Sequence, residues 1–133
     1  MSALDALADR PYISLVTFRR DGSEVPVPVW HARMGDELVV FTEARAYKVK
    51  RLRRDPRVRV AACDWRGGNT EAYFDGHGRV VTDPGEEARA YRALHAKYGW
   101  QMKLADAGSW LAGRIDARAV LALRLDETAD RPA

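Results

Sequence analysis

A single cysteine, Cys63, stands in 133 residues. No intrachain disulfide can form, and a thiolate metal cluster has no ligands to draw on. Redox chemistry in this chain must therefore come from a bound cofactor. No apolar run reaches the roughly 18 to 20 residues that a membrane-spanning helix needs, because Arg or Asp breaks the longest candidates; no membrane association is expected. The opening MSALDALADRP carries two aspartates and lacks a basic leader and a long apolar stretch. It does not match a secretory signal, and a cytoplasmic location is the expectation. No GxGxxG follows the first strand-like segment, which argues against a dinucleotide-binding Rossmann unit. The histidines, His31, His77 and His95, show neither HxxxH nor carboxylate spacing, so no metal site is expected. There is no internal repeat.

Against these absences stand 47% hydrophobic and 31% charged residues, a globular balance suited to one domain over 1–133 with its core at about 10–125. The net charge of +3 is modest, but it is concentrated. Residues 48–59 hold Lys48, Lys50, Arg51, Arg53, Arg54, Arg57 and Arg59 against one acid, Asp55, so an anionic partner is expected. Nucleic acid is a third reading of that charge but not the expected partner, because an aromatic-interleaved strand face and a recognition helix are both missing.

Periodicity predicts a mainly β barrel. Residues 3–9 form a leading helix stopped by Pro11. Strands follow at 12–18 (YISLVTF) and 24–32 (EVPVPVWHA), joined by the Asp-Gly turn of RRDGS. Pro26 and Pro28 cannot donate ladder hydrogen bonds, so the second strand lies at an edge or turns its N–H side to a ligand. A third strand, 37–42, passes into a basic helix over 43–56, with Val49 and Leu52 as its inner stripe and Pro56 as its end. A strand at 57–64 buries Val58, Val60 and Ala62 and turns Arg57 and Arg59 outward. Another spans 71–82, where Gly76 and Gly78 mark a bend or bulge. Asp83 and Pro84 start a late helix through Ala88, Tyr91, Leu94 or His95, and Tyr98, closed by Gly99. The last strand is 119–125, and the tail after it is loose. Residues 100–113 are ambiguous between a short helix and a loop.

The chemistry concentrates in FTEARAYKVKRLRRDP. A helix start offers free backbone N–H groups and a positive dipole end, and a first-turn Lys adds a mobile charge. Phosphate fits that arrangement, as does a plain solvated cationic face. The run FT, five residues, Lys48, Leu52, then DP and an alternating strand resembles the cofactor-phosphate segment of the pyridoxamine 5′-phosphate oxidase-like family. VPVPVW, the DG hairpin before it and DGHGRVVTDP resemble that family in the same order, so the likeness covers about residues 10–125. Within the family the chain is most similar to short members assigned as F420-dependent enzymes.

The resemblance implies a six- to seven-stranded split β-barrel of the FMN-binding type that works as a homodimer, with its cofactor at the subunit interface. It implies phosphate contacts from Lys48 and the strand-end Thr42, and a tricyclic ring lying along Pro28, Val29 and Trp30. Ala46 and Tyr47 occupy the turn into the helix; Ala46 departs from the Ser or Arg common there, which shifts weight onto Lys48, Lys50 and backbone groups. F420 carries an oligoglutamate tail where FMN ends in a phosphomonoester. Arg51, Arg54 and Arg57 exceed the needs of one phosphate and lean toward the longer polyanion. The implied activity is hydride transfer between F420 and a small organic acceptor. The alternatives are an FMN oxidoreductase and a non-catalytic F420-, flavin- or haem-binding protein. Cys63 reads as a small core residue, and Trp100 and Trp110 as candidates for the pocket wall or the dimer core.

Overall fold

A computed structural model describes residues 2–43, 46–103 and 118–126. Helix α1 (Ala3–Ala8) opens the chain with a capping box, in which the Ser2 side chain accepts from the Asp5 N–H and the Asp5 side chain answers to the Ser2 N–H. Seven strands follow: β1 (Ile13–Phe18), β2 (Glu24–Val29), β3 (Ala32–Met34), β4 (Glu37–Glu43), β5 (Arg57–Ala62), β6 (Phe74–Val80) and β7 (Arg118–Leu125). Helix α2 (Tyr47–Arg54) lies between β4 and β5, and α3 (Pro84–Tyr98) between β6 and β7. All pairings are antiparallel, in the order β2-β1-β5-β6-β7-β4-β3.

That order forces curvature. Strands β2 and β3 are the two edges, yet only Trp30 and His31 separate them. Three Cα steps reach at most about 11 Å, whereas the edges of a flat seven-stranded sheet would stand about 29 Å apart. The sheet must curl until its edges meet, which makes the half-closed barrel expected from the sequence. The strand predicted over 24–32 is thus two strands at opposite edges with a crossover between them. Its continuous-looking pattern hid the break, because His31 is buried in the crossover itself.

Alternation along the strands sorts the core into two layers. Leu15, Leu38, Val40, Val60, Leu121 and Leu123 point to the concave side, together with Val49 and Leu52 of α2. Val39, Val120 and Ala122 point outward and are covered by Ala90, Leu94 and Tyr98 of α3. Each such large apolar side chain contributes roughly 1.5–3 kcal/mol when fully buried. Asp83 caps α3 by accepting from the Glu86 N–H at 2.8 Å, and Pro84 fills its first turn. Ala88, predicted for its inner stripe, is exposed; Ala90 takes that place.

Two further expectations change. Gly76 and Gly78 keep unbroken register with β7, opposite Leu125 and Leu123, and form no bulge. Their lack of a side chain serves close approach instead: a Cβ on Gly76 would collide with the Arg124 carbonyl oxygen, and one on Gly78 would press on Leu123 and Leu52. Cys63 lies just past β5 and is half-buried, so it is not a core residue. Among the described residues no helix is long and apolar enough to cross a membrane.

Candidate cofactor site

Edge strand β2 provides the floor of the site. Val25, Val27 and Val29 pair with Thr17, Leu15 and Ile13 of β1, while Pro26 and Pro28 stand opposite Val16 and Ser14. Within an antiparallel strand alternate residues turn their polar groups to the same neighbour. A proline cannot donate to a ladder, so the two prolines occupy the positions that face away from β1. The outer edge of β2 therefore offers carbonyl groups without N–H groups at 26 and 28.

Against this edge lies a cleft of about 340 Å³ lined by Tyr12, Val27, Pro28, Val29, Trp30, Phe41 and Lys48. Trp30 is held firmly, stacked on Tyr98 with centroids 4.6 Å apart at 12° and edge-on to Phe41 at 6.3 Å. The walls are apolar and flat, and the one charged group among them is the Lys48 ammonium. Lys48 is half-buried, so it does not stand on a plain solvated face. Burial, followed by the nearby Arg51, pushes its pKa below the ordinary lysine value, while Glu43 acts weakly in the other direction. An incoming anion would relieve both costs.

On another side of α2 a groove of about 450 Å³ is lined by Arg19, Arg20, Tyr47, Lys50, Arg51 and Arg54, with no acid among them. Three of its cations already have partners, of which Arg19 is held least closely, its Nη1 donating to Ser23 Oγ at 3.4 Å. Arg51 Nε donates to Thr17 Oγ1 at 2.8 Å, and an Arg54 guanidinium N–H donates to the Phe18 carbonyl at 2.6 Å. Burial, and after it the like charges of Arg19 and Arg54, depress the Arg51 pKa. Lys50 sits over the ring of Tyr47 at 5.4 Å, and Tyr47 is 73% exposed.

The predicted residues thus divide. Pro28, Val29, Trp30 and Lys48 meet in the first cleft; Tyr47, Lys50, Arg51 and Arg54 line the groove. Thr42 is paired with Ala119 at the end of β4 and lines neither. Ala46 is the N-cap of α2, which starts at Tyr47 and not at 43, and it offers no side-chain acceptor to the first-turn N–H groups. Arg57 does not join the cationic groove: it is ion-paired with Asp55 at 2.8 Å and stands over Phe18. Arg59 is engaged with Glu24 at 2.8 Å and Asp75 at 3.4 Å.

Sequence reasoning missed Arg19 and Arg20, which it used only as part of a turn; their adjacent charges were the available signal. Tyr12 and Phe41 carried no signal, since nothing local distinguishes a strand aromatic beside a cleft from one in a core. Residues 104–117, and with them Trp110, lie outside the described residues, whereas Trp100 is 68% exposed. Among the described residues no group of three or more His, Cys, Asp or Glu is placed to hold a metal.

The family model described as pyridoxamine 5′-phosphate oxidase matches residues 2–130. No curated protein matches the chain in sequence. Among solved structures, a heme storage protein from Vibrio cholerae is similar at TM-score 0.66 and 13% identity, over 88% of this chain and 82% of that one. A structure described as F420 reductase is similar at TM-score 0.60 and 20% identity, over 95% of each chain. A FAD-binding protein from Mesorhizobium loti is similar at TM-score 0.65 and 20% identity, over 95% of this chain and 89% of that one.

Proposed function

Because the chain belongs to the pyridoxamine 5′-phosphate oxidase family, we propose that it is an oxidoreductase that uses coenzyme F420 to reduce a small organic acceptor. One observation carries the reading: helix α2 turns Lys48 into an apolar, flat-walled cleft and Lys50, Arg51 and Arg54 into an acid-free groove. A planar ring system fits the first, and a chain of anionic groups fits the second. Reduced deazaflavin supplies a hydride when bound. The protein's part is to hold. Pro28, Val29 and Trp30 bound the plane on which a ring lies, and Lys48 is placed to neutralise a phosphate. Arg20 and Lys50 remain for carboxylates beyond it, and Arg19 joins them by giving up its 3.4 Å hydrogen bond to Ser23.

The engagement of Arg51 and Arg54 with β1 favours a second reading, in which the ligand is FMN and the groove stays unused. Equilibrium titration with F420, FMN and haem, followed by absorbance or fluorescence, separates the cases. F420 is expected to bind more tightly than FMN at low salt, with the gap narrowing as the Debye length falls from about 10 Å at 0.1 M to about 3 Å at 1 M. Equal affinities at low salt would sink the tail reading. Tight haem binding with neither of the other two would replace the oxidoreductase with a carrier.

A further inference from the structure

The crossover of Trp30 and His31, which joins the two edges of the barrel, is clamped by one side chain. Tyr98 is the last residue of α3 and only 8% exposed. Its hydroxyl accepts the His31 backbone N–H at 2.9 Å and lies 2.8 Å from the Pro11 carbonyl and 3.0 Å from the His31 carbonyl, with one proton to donate between them. The tyrosine ring at the same time lies flat under Trp30. One residue thus fixes the backbone of the crossover through its oxygen and the indole plane through its ring. Phe41 meets the indole at its edge, so Trp30 has little freedom left to tilt. Trp30 is in turn a wall of the cleft, between Val29 and Phe41.

We propose that Tyr98 is a positioning residue for the ring cleft: by stacking under Trp30 it pre-sets the wall against which a bound tricyclic ring lies, although Tyr98 does not itself line that cleft. The inference rests on the cofactor reading above. Pre-organisation of this kind raises affinity by removing the cost of ordering the wall upon binding. The ring and the hydroxyl have separable roles. The hydroxyl holds the fold closed, and the ring holds the indole.

The test uses the full chain in a background of Trp65→Phe, Trp100→Phe and Trp110→Phe, so that Trp30 is the sole indole. Near-ultraviolet circular dichroism reports the stacked pair, urea unfolding reports stability, and titration with F420 and with FMN reports the cleft. Tyr98→Phe is expected to lower the urea midpoint, keep the circular dichroism band and bind within about threefold of the parent; Tyr98→Met is expected to lose the band and bind about tenfold more weakly, as loss of an aromatic pair implies. A Tyr98→Met protein that loses the band yet binds like the parent overturns the positioning role and leaves the cofactor reading intact. A parent that binds neither ligand overturns the cofactor reading, and the positioning role with it. Should Tyr98→Met fail to fold, the fluorescence anisotropy decay of Trp30 in the parent decides: rigid on the nanosecond scale supports the role, and free local motion overturns it.

Discussion

Lys48 is the residue on which the site stands or falls. A half-buried ammonium in an apolar cleft is costly without an anion, and the depressed pKa of Lys48 expresses that cost. Lys48→Ala should weaken cofactor binding about ten- to a hundredfold, the equivalent of a charged hydrogen bond of about 1.5–3 kcal/mol. Lys48→Met, which keeps the apolar stem, should lose as much affinity with less effect on folding. Arg59→Ala, whose partners Glu24 and Asp75 lie away from the cleft, should barely change it. Titrating the three variants against the parent checks the contrast. The place of Lys48 on a strand-to-helix turn was legible from the sequence, because the strand ending at FT and the DP that stops the helix bracket it. The pairing of Arg57 with Asp55 and of Arg51 with Thr17 was not, because a side chain's choice among partners depends on which strand packs beside it. His31 supplies a second expectation. Its Nε2 lies 2.7 Å from the Leu7 carbonyl and 3.2 Å from Lys97 Nζ. Burial, then the Lys97 charge, lowers its pKa from 6.5 to about 4. The unfolded chain therefore binds a proton that the folded one refuses, and stability present above pH 6.5 is lost as pH falls toward 4. The loss is on the order of 3 kcal/mol at about 1.4 kcal/mol for each pH unit. Urea midpoints for the parent should fall across that window, and those for His31→Gln, which keeps a donor for Leu7, should fall less.

At the scale of the elements, period two and the turn residues predicted five of the strands to within a few residues, and Asp83, Pro84 and Gly99 marked both ends of α3. What failed were the features that depend on a distant neighbour. The break between β2 and β3 exists because the sheet closes on itself, and nothing in VPVPVWHA signals that closure. The glycines of β6 were expected to bend the strand because a glycine in a strand permits either a bulge or a close approach, and the choice belongs to β7. That difference has a measurable consequence. Gly76→Ala would force its Cβ against the Arg124 carbonyl, a backbone atom that cannot turn aside, and should cost at least about 2 kcal/mol. Gly78→Ala meets only the ends of the Leu123 and Leu52 side chains, at 3.1 and 3.2 Å, which can shift. Its cost should be clearly smaller. Urea unfolding of the two variants ranks them, and equal losses would show that β6 and β7 separate readily at this point.

For the whole molecule, the open question is what covers the site. The cleft is open along β2, whose outer edge offers acceptors but no donors at Pro26 and Pro28, so another strand cannot extend the sheet there by a complete ladder. Side-chain packing is the remaining way to shield it. Tyr47, Trp65 and Trp100 are each exposed by more than 60%, and exposed aromatics that gather beside a site mark an interaction surface where single scattered ones would not. Tyr47 borders the cationic groove. The loop after β5 that carries Trp65 lies against β2, with Gly67 close to the Pro28 ring. Two of the three aromatics therefore flank the site, as expected if a second copy of the chain completes it. We expect a homodimer of about twice the 14.9 kDa chain mass, measured by light scattering at micromolar concentration. Trp65→Asp and Tyr47→Asp together should shift that equilibrium toward monomer and weaken cofactor binding in parallel, because loss of the partner would expose the ring to water. A monomeric parent would contradict the expectation. So would a double variant that becomes monomeric yet binds cofactor as tightly as before, since the cleft would then be complete within one chain.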